Sequence, residues 1–323
     1  MPMDVVTLSP SHLAAAAELF AAGVGRLRAA VPALPDTLTD PTAAAALQRP
    51  LLTSGRAVAA MDGGSLVGFL AWHVVEGFRG TGRTGAYVPV HGHGAVPHRV
   101  AEVYPALHRA AAQQWDAAGC EVHCVTVLAD QQDTIHRWFV NGFGMFLHDG
   151  IRATAAPLAQ RPLPSGVRLR PAVAADADAL AALDTEHRAH YSAPPVNMAP
   201  QPGDTAAEIA ALVARPPAGY WLAEVDGRPE AFLRFEPTAD GATAIVHSPT
   251  TIALSGAFTR PALRGRGIAA ALLQAALADY AGRGFTRMSV DYETVNPTAL
   301  AFWPARFDTV AVSLMRVPEW VPR

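Results

Sequence analysis

The chain has 323 residues, half of them hydrophobic and only 16% charged, which suits two domains of about 160 residues with buried cores and excludes disorder over most of the length. All 25 basic residues are arginine; the absence of lysine excludes a Walker-A phosphate loop, a Schiff-base lysine and a Ser-Lys catalytic pair. A net charge of -3 gives no basic footprint, so nucleic acid is not expected as a partner.

The opening Met1-Pro2-Met3-Asp4-Val5 lacks a basic stretch followed by an apolar one, and no apolar run of about 18 residues appears later. A cytoplasmic protein with no membrane partner is expected. Residues 55–63 followed by Leu66–Leu70 read as a hairpin with Asp62-Gly63 in the turn. Gly85–Pro89 reads as a further strand, and a helical stretch then leads to the strand Val122–Leu128. Cys120 and Cys124 are read onto that strand, sharing a face roughly 13 Å apart, too far for a disulfide. Trp138-Phe139 marks a short helix, and a final apolar strand closes the half. His91, His93 and His98, with Glu102 nearby, lack the helix or hairpin spacing of a zinc site. No metal is expected, and the segment reads as a polar, Gly-rich loop.

Residues 154–165 are rich in Pro and Ala without hydrophobic periodicity and read as a linker. Domains at 1–153 and 166–323 follow. The second half repeats the plan of the first. Residues 219–227 and Glu230–Leu233 form a hairpin pattern with Asp226-Gly227 in the turn. Gly256–Pro261 parallels Gly85–Pro89, Met288–Glu293 parallels Val122–Leu128, and Phe302-Trp303 parallels Trp138-Phe139. The expected fold is therefore mixed α/β, one domain duplicated in tandem.

The sharpest chemical feature is Phe258–Ala269, in which a strand ends near Thr259, Arg264-Gly265-Arg266-Gly267 forms a turn, and a helix runs from about Ile268 to Ala281. Glycines at a helix mouth let backbone N–H groups approach an anion, and the helix dipole favours it. Arg264 and Arg266 add positive charge, so a pyrophosphate is the expected guest. Gly265-x-Gly267-x-x-Ala270, with Asp291 downstream, also fits the dinucleotide fingerprint in form. Five residues including Pro261 separate the strand from the first glycine, and too little chain follows Asp291 for a doubly wound sheet. That reading is set aside.

Arg264-Gly265-Arg266-Gly267-Ile268-Ala269 resembles the Arg/Gln-x-x-Gly-x-Gly/Ala motif of the GCN5-related N-acetyltransferase (GNAT) superfamily, and Asn296–Trp303 is similar to that family's later Asn-x-x-Ala-x-x-Phe-Tyr segment. The order of elements agrees over 166–317, and the outline without the motif fits 4–153. The resemblance implies two GNAT-like domains, the second an N-acetyltransferase using acetyl-CoA as cosubstrate and no metal. Backbone groups of Phe258 and Thr259 would bind the pantetheine arm, the amides from Arg264 to Ala269 (Gly265, Arg266, Gly267 and Ile268 among them) the pyrophosphate, and Asn296 and Phe302 would flank the thiol end. The implied reaction is direct attack of an amine on the thioester, which needs a base and a proton source.

Trp303 stands where the family has its acid Tyr, and an indole supplies no proton. Either Tyr292 or a water is expected to replace it, or the thiolate leaves unaided. Asp291 and Glu293, which share a strand face, are the expected bases, with Glu293 preferred and His247 a further candidate. Aligning Gly119 with Gly282 puts Ala101–Ala106 opposite the motif; it has no glycine, and Glu102 and Pro105 oppose phosphate binding. Gln132 and Phe139 replace the later Asn and Tyr. The first domain is expected not to bind CoA and to serve as a packing partner and one wall of the substrate cleft. A small-molecule amine is the expected acceptor, and the protein a monomer or homodimer; a non-catalytic protein that sequesters a ligand is the alternative.

Overall fold

A computed structural model describes residues 3–158, 163–239 and 241–319; Met1, Pro2 and residues 159–162 of the expected linker lie outside the described residues. The chain divides into two compact units. The first comprises Met1–Asp149, Thr243–Ile245 and Thr309–Arg323, and the second Gly150–Ala242 and Val246–Asp308.

The first unit contains β1 (Asp4–Thr7), α1 (Leu13–Ala30), α2 (Pro41–Leu52), β2 (Ala57–Asp62), β3 (Ser65–Ala71), β4 (His73–Val75), β5 (Gly85–Val88), β6 (His93–Ala95), α3 (Val100–Ala117), β7 (Val122–Leu128), α4 (Gln132–Val140) and the start of β8 (Gly144–Ala153). The order β1-β2-β3-β6 is antiparallel throughout. β4 pairs with β5, and β5 runs parallel to β7, from Gly85 opposite Val122 to Val88 opposite Val125. Parallel neighbours need a crossover, which α3 supplies. Its buried face, Val103, Tyr104, Leu107, Ala111 and Trp115, packs into one apolar cluster with Leu70, Val125 and Trp138.

The second unit contains β9 (Val167–Pro171), α5 (Ala177–Ser192), α6 (Ala206–Val213), β10 (Gly219–Val225), β11 (Arg228–Glu236), β12 (Thr251–Thr259), α7 (Ile268–Gly282), β13 (Arg287–Glu293) and α8 (Pro297–Phe302). Strand order is β9-β10-β11-β12-β13, antiparallel except for the parallel pair β12/β13. Helix α7 buries Ile268, Leu272, Leu273, Ala276, Leu277 and Tyr280, the helical-period stripe visible in the sequence. Leu272 and Leu273 are fully buried, and truncating either to Ala costs about 2–5 kcal/mol.

Three features depart from the sequence reading. The last strand, β14 (Asp308–Arg316), pairs antiparallel with β7, from Ala311 opposite Leu128 to Arg316 opposite His123. Its Val312 and Leu314 lie in the first unit's core, so the unit boundaries are not those read at 153 and 166. Helix α3 begins at Val100 and runs through Ala101–Ala106 with Pro105 inside it, so the first unit has helix where the second has its glycine turn. Cys120 precedes β7 rather than lying on it, and both cysteines are buried and free. Among the described residues no helix is long and apolar enough to cross a membrane.

Beyond the Val88/Val125 pair the first unit closes on itself. His93 Nε2 donates to the Thr126 carbonyl (2.9 Å) and its Nδ1 accepts from the Tyr104 hydroxyl (2.7 Å), an assignment that follows from a neutral ring between a carbonyl and a phenol. Among the described residues no group of three His, Cys, Asp or Glu could hold a metal ion.

Burial pushes His91, His93, His108 and His123 down to about 4, against about 6.5 in an unfolded chain. The unfolded state therefore binds more protons between these values, and stability from the four rings is present above pH 6.5 and lost as pH falls toward 4. The denaturant midpoint followed by tryptophan fluorescence is expected to fall steadily across that window, and His123→Phe to flatten the slope.

Candidate active site

The site is built around the point where β12 leaves β13. The parallel pairing runs from Thr251 opposite Arg287 to Leu254 opposite Val290. There the register of β12 against β11 shifts, with Leu254 facing Phe235 and Gly256 facing Arg234, so that Ser255 is the extra residue of a bulge. A bulge bends its strand and sharpens the local twist. From Gly256 to Thr259 the strand keeps β11 on one edge and has no strand partner on the other. A cavity of about 730 Å³ opens in this gap. All its lining residues belong to the second unit, contributed by α5, β11, β12, the glycine turn, α7, β13 and α8.

One end of the cavity is the mouth of α7. Gly265 and Gly267 have φ of 75° and 82°, left-handed values that residues with a Cβ adopt at a cost. Gly267 is the N-cap and no side chain caps it, so the first-turn amides of α7 are left to an outside acceptor. Gly265, Gly267, Ile268 and Ala269 line the cavity, and the buried Ile268 also anchors the helix in the apolar cluster beneath. Arg266 is exposed and is not among the lining residues. Arg264 lines the cavity but folds back: its Nε donates to the Thr259 carbonyl (2.9 Å), and its guanidinium carbon lies 5.8 Å from the Phe258 ring centroid. Desolvation lowers its pKa. Arg264 thus closes the turn onto the strand that precedes it. Arg260 ties the same turn to its surroundings through Glu186 of α5 (2.8 Å) and Glu230 of β11 (3.0 Å).

The other end collects most of the expected catalytic residues. Asp291 is half-buried, Glu293 is 6% exposed, and both line the cavity. Tyr292, between them, also borders it but packs in the apolar cluster with Leu272, Trp303 and Phe307. Asn296 is buried as the N-cap of α8; its Oδ1 accepts from Thr298 N (3.1 Å), Thr298 Oγ1 (2.7 Å) and Ala299 N (3.3 Å). Phe302 lies under the Arg306 guanidinium at 3.8 Å, and Trp303 packs edge-on between Phe302 and Phe307. His247 does not join this group. It lies on a separate depression with Pro217, Pro237 and Phe285, so its candidacy as a base is withdrawn.

Helix α5 brings residues that the sequence reading passed over. His187 and Tyr191 line the cavity, their rings 4.9 Å apart, and His187 lies 5.9 Å from Phe258. Asp184, one turn earlier, is almost fully buried. Its Oδ1 faces His187 Nδ1 (3.4 Å), while Oδ2 accepts from Asp204 N (2.9 Å) and Arg188 Nε (3.4 Å). Burial opposes the charge of Asp184, but His187, the Asp204 amide and Arg188 outweigh it and hold the carboxyl at about 2. The Tyr191 phenol is pushed up to about 12, first by burial and then by the charges of Asp291 and Glu293, with a hydrogen bond to the Asn296 side chain acting the other way. A signal was present: Asp184, His187, Arg188 and Tyr191 recur at i, i+3, i+4 and i+7, a polar stripe at helical spacing.

Asp184 also anchors the segment before α6 through the Asp204 amide. Asp184→Ala is expected to lower the thermal midpoint by several degrees and to speed hydrogen exchange at the Asp204 amide, leaving α7 protection unchanged.

The family described as "Acetyltransferase (GNAT) family" matches residues 183–307. No curated protein matches the chain. Among solved structures, a GCN5-related N-acetyltransferase from Sphaerobacter thermophilus is similar over 97% of this chain and 95% of its own, at 16% identity and a TM-score of 0.60. A GCN5-related glucosamine N-acetyltransferase region of a fungal multi-domain GH3 beta-N-acetylglucosaminidase is similar over 97% of this chain and 38% of its own, at 14% identity and a TM-score of 0.55. A tandem GNAT protein from the clavulanic acid biosynthesis pathway aligns over 98% of both chains at 14% identity and a TM-score of 0.48.

Proposed function

We propose that the second unit, whose residues 183–307 match the acetyltransferase (GNAT) family, transfers an acetyl group from acetyl-CoA directly to a small-molecule amine. The observation that carries this reading is the continuity of one cavity, from the uncapped glycine mouth of α7, along the unpaired edge of β12, to Asp291, Glu293 and Asn296. A pyrophosphate suits the amides at α7, because they are donors without intrahelical partners at the positive end of a helix dipole. The backbone of Gly256–Thr259 offers an extended pantetheine arm the place of a missing strand. Arg264 keeps the turn in register, and Arg266 adds charge from outside the cavity.

Glu293 takes the proton of the incoming ammonium, directly or through water. The freed nitrogen attacks the thioester carbon; the carbonyl then re-forms as the C–S bond breaks and the electron pair leaves on sulfur. Asp291, on the same strand face, supplies negative charge that draws a cationic amine into the cavity. The reaction needs no metal and no covalent enzyme intermediate.

The first unit has no part in CoA binding on this reading. Helix replaces the glycine turn at Ala101–Ala106, and His93 and Tyr104 occupy the bonding positions beyond the β5/β7 pair. Titration of the full chain with acetyl-CoA is expected to give one site per chain by calorimetry; two sites would overturn this assignment. Gly267→Val forces a β-branched residue to positive φ and is expected to weaken acetyl-CoA binding about tenfold or more, with the circular dichroism spectrum retained.

Glu293→Gln is expected to lower kcat about a hundredfold in thiol release with acetyl-CoA and a reactive amine from a panel. Full turnover across the pH range would remove Glu293 from the base role. The burial of Trp303 where the family has its acid favours a second reading, a protein that sequesters its ligand. Saturable acetyl-CoA and amine binding without CoA release would support it.

A further inference from the structure

Direct transfer leaves a thiolate, and the aromatic position that serves it in the family is here an indole packed against Phe302 and Phe307. The cavity nevertheless holds a phenol, contributed by a different helix. Tyr191 sits in the last turn of α5, lines the cavity and lies beside Asn296, Asp291 and Glu293. Its position is fixed from both sides: the ring stands 4.9 Å from His187, which faces Asp184, and the Tyr191 carbonyl accepts from Met198 N (3.0 Å).

The hydrogen bonding of Asn296 sets the direction in which this phenol donates. Oδ1 of Asn296 already accepts three bonds from the first turn of α8. What Asn296 has left for Tyr191 is its NH2 group, a donor only. Both residues line the cavity, and towards that NH2 group the phenol oxygen can act only as acceptor, which leaves its own O–H to be given elsewhere. Burial keeps that proton in place through the physiological range.

We propose that the Tyr191 hydroxyl is the donor to the leaving sulfur of CoA, doing from α5 what the residue at position 303 does not. This rests on the acetyltransferase reading. As the C–S bond breaks, the electron pair goes to sulfur and the Tyr191 O–H hydrogen-bonds to it. Where the proton transfers, CoA leaves as the thiol and the phenolate regains a proton from solvent, while the two protons shed by the ammonium nitrogen pass to Glu293 and out. The sum is ammonium plus thioester giving amide, thiol and one proton. Asn296 is a positioning residue, holding the phenol oxygen so that its hydrogen points into the cavity.

A thermodynamic cycle tests this without knowing the amine. Wild type and Tyr191→Phe are titrated calorimetrically at pH 9.5 with CoA, whose thiol is partly ionised there, and with desulfo-CoA, which has hydrogen in place of the thiol. A hydrogen bond to a charged group is worth about tenfold or more in affinity. Wild type is expected to favour CoA over desulfo-CoA by that factor and Tyr191→Phe to lose the preference, while both proteins bind desulfo-CoA equally. The same preference in both proteins overturns the proposal. A second arm uses wild type alone: its preference for CoA is expected to grow from pH 7 to 9.5 as the thiolate forms, and a flat ratio overturns the proposal even if the variant does not fold. Failure of wild type to bind either ligand at any pH would instead remove the acetyltransferase reading on which the proposal rests.

Discussion

Parallel hydrogen bonding between β12 and β13 stops at Leu254 and Val290, and the second unit's chemistry follows from that stop. A sheet that continued would spend the backbone groups of Gly256–Thr259 on a neighbour and leave no room between the strands. The bulge at Ser255 spends one residue without a partner and turns the rest of the strand aside. The gap then becomes a cavity bordered on one side by extended backbone and on the other by β13 with its carboxylates. Helix α7 must begin just past the strand's end to aim its amides at the same space. Ile268 buries the first turn, while Gly265 and Gly267 supply the left-handed angles that the connection requires.

The first unit shows the same plan with the gap used differently. Its parallel pair also spans four residues, Gly85–Val88 against Val122–Val125. The next carbonyl of β7 bonds to the His93 ring instead of facing a cleft, and Tyr104 reaches across from α3 to bond the other ring nitrogen. A buried carbonyl without a partner is costly, and here the His93 ring satisfies it from within the unit. His93, from the segment read in the sequence as a polar, Gly-rich loop, has that structural task. Burial also disfavours protonation of His91 and His93 in this segment.

In the second unit the polar stripe of α5 links stability to the site. Asp184 holds the Asp204 amide, Arg188 and His187 together, and His187 in turn packs against Tyr191 and Phe258. The α5 residues that line the cavity are therefore tied to one buried carboxylate. Asn296 is held in a similar way, buried at the N-cap of α8 with its oxygen given to the first turn of that helix.

Much of this was legible in the sequence, for local reasons. Asp-Gly turns, the apolar stripe of α7 and the largely apolar run of β7 are short-range patterns, so the hairpins, the crossover helix and the duplicated plan could be read directly. The glycine turn was legible because positive φ and close backbone approach need glycine wherever they occur. Tertiary structure alone decided what depends on distant partners: that β14 pairs with β7 nearly two hundred residues away, that Arg264 folds onto Thr259 while Arg266 stays outside, that His247 faces another depression, and that Tyr191 stands beside Asn296. A residue's type limits what it can donate or accept, but which partner it meets is fixed by packing among elements far apart in the chain, and one sequence carries no local record of that encounter.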